Sequence, residues 1–257
     1  MSTFANTGLL VRRSIIRTLR QPANLVFSFA FPLLLLAVNA GGLDAATQLP
    51  NFPAESYITF ALAVPFIQGA LFASNSAGTN IAVDIESGFL SRLSLTPLTR
   101  TGLLAGQLAG VVALGLAQAC VFLAVGQAVG AGFEAGVAGI PVLLALSVLI
   151  TLGFGTLGAL AALRTGSGEA VQGLFPLFFV VLFLSSMALP RELIEQDWFR
   201  TIATYNPVSY LLEAIRSLLI TGWDGEALAL GFGCAGALAL VGTVLCARAL
   251  RSRMVRT

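Results

Sequence analysis

The sequence predicts an all-α integral membrane protein with six transmembrane helices. Three observations lead there. The chain is 57% apolar and only 10% charged over 257 residues, whereas soluble domains carry about 25% charged residues. Its apolar runs reach the roughly 20 residues that a helix needs to cross a bilayer. Its charges are also segregated. With six spans both termini share one side, and eleven of the fourteen arginines fall on that side. Only Arg191, Arg200 and Arg216 fall on the other. Arginine excess marks the cytoplasmic face, so both termini are predicted to be cytoplasmic.

Several function classes are excluded or weakened by what the chain lacks. The net charge of +2 gives no basic field for nucleic acid. There is no lysine, so no phosphate loop of the G-x-x-x-x-G-K-[ST] type exists. If ATP drives this protein, another chain binds it. There is no histidine, which removes Ser-His-Asp and Cys-His catalysis and the commonest metal ligand. Cys120, Cys234 and Cys246 lie inside apolar runs without metal-ligand spacing and read as small buried hydrophobes. No catalytic, cofactor or metal site is therefore expected in this chain.

The elements follow in order. Over residues 1–22, Val11, Ile15, Ile16 and Leu19 cluster on one side of a helix and Arg13, Arg17 and Arg20 on another, with Leu9 and Arg12 blurring the division. This pattern predicts a helix lying in the membrane interface, a solvated cytoplasmic helix being the alternative. The segment is too charged for a signal-peptide core. Pro22 suits the first turn of the next helix. The predicted spans are residues 23–41, 57–80, 101–131, 140–163, 170–189 and 226–247. The fifth contains Pro176, which neighbouring helices can accommodate. The second turns polar in its later half, and Asn75 and Thr79 share a face at i,i+4 spacing. Such residues suit either a substrate path or hydrogen bonding between helices. The sixth contains Gly231, Gly233 and Gly236 at G-x-G-x-x-G spacing. An apolar helix is the wrong context for a dinucleotide fingerprint, and close helix packing explains the glycines better.

Two interruptions stand out. The first is 81–101, between the second and third spans, which carries Asp84, Glu86, Arg92 and Arg100. Ile85, Phe89 and Leu93 recur there at helical spacing, and Thr96-Pro97 ends the pattern. A short amphipathic helix at the membrane surface is predicted, a plain polar loop being the alternative. The second is 190–225, where Asn206 is a good N-cap and Pro207 fits the first helical position. The helix that follows is too short for a span. Two short helices dipping into the outer leaflet, or a surface hairpin, both fit.

The string Asp84-Ile85-Glu86-Ser87-Gly88, with Leu95-Thr96-Pro97-Leu98-Thr99-Arg100 after it, resembles the loop following the second membrane helix of ABC-2-type transporter permeases, including the daunorubicin-resistance type of drug exporter. The similarity extends over nearly the whole chain, making it one transmembrane domain over 1–257. The helix before the first span resembles the connecting helix of that family. The Asn206-Pro207-Val208-Ser209-Tyr210 string, with Glu213 and Arg216 in the helix after it, resembles its outer re-entrant helices.

The resemblance implies a permease subunit that is not itself an enzyme. It implies a second permease copy, as a homodimer or with a similar permease, and two copies of a separate ABC ATPase holding ATP and magnesium. The loop would be a coupling helix that docks on the ATPase. Glu86, Gly88, Phe89 and Leu93 would make the contact, with Phe89 and Leu93 as its apolar anchor, and Thr96, Pro97 and Arg100 would shape the turn. Export of a hydrophobic drug, lipid or glycoconjugate across a bacterial plasma membrane is expected, a polysaccharide or teichoic-acid exporter being the near alternative. A secondary carrier and a non-transporting scaffold are the other classes. The spans hold almost no ionisable side chain, which disfavours ion-coupled transport.

Overall fold

The chain's structure is a computed structural model that describes residues 3–93 and 100–255. Among them every regular element is helical. Five helical stretches are long and apolar enough to cross a membrane. Two are α2 (Pro22–Leu43), which a 3-10 turn extends, and the pair α3 (Tyr57–Ala61) and α4 (Ala63–Glu86), which together fill 57–86. The others are α6 (Arg100–Ala128), α7 (Gly136–Thr165) and α11 (Gly225–Val255). The protein is therefore a multi-pass membrane protein.

The predicted fifth span is shorter than expected. It forms α8 (Gly168–Phe183), 16 residues with Pro176 inside, and the chain leaves helical geometry before residue 189. At 1.5 Å per residue this helix covers about 24 Å, short of a hydrocarbon core of about 30 Å. Yet the segment runs the length of the α3–α4 pair. Its start, the Gly168 N–H, reaches the Glu86 carboxylate at 3.4 Å. Its far end, the Ala188 carbonyl, accepts from the Tyr57 hydroxyl at 2.9 Å.

The centre of the molecule is the α4–α7 pair, whose backbones nearly touch. A Cβ on Gly158 would collide with the Ser74 carbonyl, and one on Gly78 with the Gly158 carbonyl and Val171. Small residues at such crossings let dispersion contacts between backbones replace the hydrophobic drive that is absent in lipid. α11 closes on the other side of α7. Gly242 abuts Thr156 there, and the Cys246 thiol donates to the Thr156 carbonyl at 3.1 Å. The G-x-G-x-x-G string lies inside α11, and its Gly231 faces Ala214 of α10 (Pro207–Arg216).

α1 (Thr3–Leu19) packs along the start of α6. Ser14 Oγ donates to the Gln107 carbonyl at 3.1 Å and accepts from the Gly110 N–H at 3.1 Å. This changes the expectation for its arginine face. Arg20 is exposed, but Arg13 and Arg17 turn into the protein toward α4. A buried carboxylate there outcompetes water and lipid headgroups for them.

The 81–101 stretch also differs from one continuous amphipathic helix. Residues 81–86 are the last turns of α4. Gly88 then adopts φ +69°, its N–H bonding to the Ile85 carbonyl while the Ser87 N–H bonds to that of Val83. This left-handed cap, which glycine enters without a Cβ penalty, ends the helix. α5 (Phe89–Leu93) starts afresh, so Ile85 does not share a helical face with Phe89 and Leu93.

Candidate functional site

The site is assembled at the break between α4 and α5. Asp84, one turn before the break, is 2% exposed. A lone carboxylate buried there would cost several kcal/mol. It is instead surrounded by donors from two other helices. Arg13 grips it with both terminal nitrogens, Nη2 to Oδ1 at 2.8 Å and Nη1 to Oδ2 at 3.1 Å. Arg17 Nη1 adds a bond to Oδ1 at 2.7 Å, and Gln107 Nε2 one to Oδ2 at 2.9 Å. Arg13 and Arg17 reach the same carboxylate because i and i+4 lie one above the other on a helix. Hydrogen bonding to Asp84 raises the Arg13 pKa above its ordinary value. α1, α4 and α6 are thus joined at one side chain.

The same guanidinium reaches α5. The Arg13 Cζ stands 4.0 Å from the centroid of the Phe89 ring, a cation–π distance. Phe89 is half-buried, and Leu90 beside it is packed into the core against α4 and α6. Glu86 is exposed, its Oε1 meeting the Gly168 N–H. Of the residues expected to dock, Glu86, Gly88 and Phe89 are therefore brought together around the break. Leu93 closes α5 and Arg100 opens α6. Thr96 and Pro97 lie outside the described residues.

Asn75 and Thr79 sit higher on α4. The Asn75 Oδ1 and Thr79 Oγ1 atoms are buried without a hydrogen-bond partner among the described residues, so neither oxygen bonds to a neighbouring helix there. Around them a polar chain runs from Asn24 to Gln21, from Gln21 Nε2 to Asn80 Oδ1 at 2.9 Å, and from Asn80 to Ser76.

The opposite end of the molecule holds the 190–225 residues. α9 (Asp197–Tyr205) and α10 are two short helices. Asn206 caps α10 by accepting from the Val208 N–H at 2.9 Å, and its amide donates to the Val181 carbonyl at 2.7 Å. Pro207 takes the first helical position. Glu213 pairs with Arg191, whose guanidinium also lies 4.8 Å from the Tyr210 ring centroid. Burial pushes the Glu213 carboxyl up from its ordinary value, and Arg191 recovers only part of that shift. Arg216 is buried, and among the described residues no carboxylate contacts it directly. It donates to the carbonyls of Phe60 at 3.1 Å, Ser186 at 2.7 Å and Met187 at 2.8 Å, and rests on the Phe60 ring. Two of those carbonyls belong to the segment that leaves helical geometry after α8, so there a cation, and not a helical ladder, supplies their donors.

A bundle of apolar helices of membrane-crossing length, tied together by a charged junction near one end of α4, is the build of a multi-pass membrane protein. The sequence pattern of the ABC-2 type transporter family matches residues 5–220, and the chain belongs to that family. It is similar to two proteins named as candidate transport permeases, ycf38. It is 27% identical to that of Porphyra purpurea over 219 residues, 84% of this chain and 74% of the relative. It is also 27% identical to that of Cyanophora paradoxa over 213 residues, 82% of this chain and 72% of the relative.

Proposed function

We propose that the chain is the membrane subunit of an ATP-driven exporter, with ATP and magnesium held by a separate ATPase that docks at 81–101. The observation that carries this reading is the position of Arg13, which touches the Phe89 ring on one side and Asp84 on the other. A push on α5 would therefore reach α1, α4 and α6 through one planar group. Such wiring suits a loop that receives force. Glu86, Phe89 and Leu93 present the docking contact, Gly88 supplies the bend, and Thr96, Pro97 and Arg100 shape the return.

The same reading gives a bacterial plasma-membrane protein with six crossings and both termini in the cytoplasm. The remaining crossing, fifth in chain order, is α8 with the non-helical chain after it, supported by its contacts at both ends of the α3–α4 pair. The outer pair α9 and α10 re-enters the leaflet. Two permease copies, most simply a homodimer, and two ATPases complete the assembly. A hydrophobic drug, lipid or glycoconjugate crosses between the permeases, and Asn75 and Thr79 line or brace that route.

The test is Phe89→Asp in the assembled transporter. Burying a phenylalanine is worth about 1.5–3 kcal/mol, and a charge in an apolar contact costs more. Insertion and dimerisation should be normal while partner binding falls by ten- to a hundred-fold or more, at about 1.4 kcal/mol per decade. Unchanged partner affinity and unchanged transport would remove the docking role from α5.

A further inference from the structure

We propose that the basic cleft between the ends of α7 and α11 binds the headgroup of an anionic phospholipid. The cleft encloses about 700 Å³ and is lined by Leu163, Arg164, Leu245, Arg248, Ser252 and Arg253. Three of these side chains are cationic, and no carboxylate lines the cleft among the described residues.

The three arginines differ in what already holds them. Arg253 is fixed, donating from Nη1 to the Leu163 carbonyl at 2.7 Å. Gly166 makes room for it, with φ +75° and no Cβ, since a Cβ there would strike the guanidinium. Arg164 and Arg248 are exposed and have no hydrogen-bond or ion-pair partner among the described residues. One oriented guanidinium with two unsatisfied ones beside it matches a phosphate monoanion, which takes several charge-assisted bonds at once.

The surroundings select a lipid over a free phosphate. Val241, Leu245, Arg248 and Ser252 follow one another at i+4, i+3 and i+4, one stripe along α11. Its upper part is apolar and open, with Val241 56% and Val244 42% exposed. Acyl chains would lie along that flank with the phosphate seated at its lower end. Basic pockets between membrane helices are suited to such headgroups, each nearby arginine strengthening attraction about fivefold.

The experiment uses the full chain in nanodiscs of phosphatidylcholine doped with spin-labelled phosphatidylglycerol or spin-labelled phosphatidylcholine. The native chain should immobilise the anionic label in preference to the zwitterionic one. Arg164→Gln combined with Arg248→Gln should cut that preference by about tenfold or more. Neither side chain has a partner to lose among the described residues, and an unchanged melting temperature checks the fold; Arg253 stays intact. Equal immobilisation of both labels by the native chain would overturn the proposal, as would an unaltered preference in the double variant. Displacement of the anionic label by millimolar inorganic phosphate would make the cleft a phosphate site and overturn the lipid assignment. No ATPase enters the measurement, both leaflets carry the same lipids, and the double variant separates the cleft from a lipid held on a transport route. Its outcome is thus independent of the exporter reading and of topology.

Discussion

Asp84 lies in the last turn of a helix apolar enough to cross a membrane, and its environment sets what a substitution there costs. Arg13 is 38% exposed and Arg17 23%, against 2% for the carboxylate. An exposed pair is worth about 0–1 kcal/mol, and breaking a fully buried one costs about 3–5 kcal/mol. This junction lies between. Asp84→Asn should destabilise the detergent-solubilised chain by about 2–3 kcal/mol, read as a loss of melting temperature. Arg13→Lys should cost less for stability yet more for coupling, because an ammonium keeps charge but loses the two-pronged grip and the flat face on Phe89. Asp84 was visible in the sequence as a charge that could not remain in hydrocarbon. Its partners were not. Arg13 and Arg17 read as a surface face because periodicity shows that residues share a side, but not what lies opposite that side.

At the scale of the element, two glycines make opposite predictions from the same substitution. Gly88→Ala places a side chain at φ +69° where the new Cβ meets none of the described residues. The cost is purely that of left-handed backbone, about 1–2 kcal/mol. Gly158→Ala keeps ordinary helical geometry but drives a Cβ into the Ser74 carbonyl, forcing α4 from α7. Overpacking of this kind costs about 1–3 kcal/mol or more, and with backbone as the obstacle the upper end applies. Melting curves of both variants should therefore show the larger drop for Gly158→Ala. The helices themselves were legible from apolar length, and the α10 cap from Asn206-Pro207. The length of α8 was not, because Leu184 to Leu189 are apolar enough to continue a span. Pro190 has no N–H to offer the Ser186 carbonyl, and Arg216, thirty residues on, donates to the carbonyls of Ser186 and Met187 instead. The break at Gly88 was equally hidden, since Ile85, Phe89 and Leu93 keep perfect spacing across it.

For the whole molecule the arginine count predicts which end faces the cytoplasm. In a cysteine-free background, Ser2→Cys should be protected from an impermeant thiol reagent in intact cells, and Asp197→Cys, whose parent side chain is 95% exposed, should be labelled. Labelling at position 2 with protection at 197 would invert the topology. The purified chain should hydrolyse no ATP, and adding the ATPase subunit should bring hydrolysis. Turnover by the chain alone would remove the division of labour between the two subunits.

Arg216 gives the far end of the molecule a particular kind of cooperativity. Each of its three side-chain nitrogens donates to a carbonyl, one at the start of the α3–α4 pair and two in the chain after α8, while its own backbone belongs to α10. Parting any one of these strands from the other two strips a buried cation of part of its solvation and leaves a carbonyl bare. Half-open arrangements are therefore the costly ones. The three strands should stay together or separate together, so the population at that end divides between shut and open with little in between.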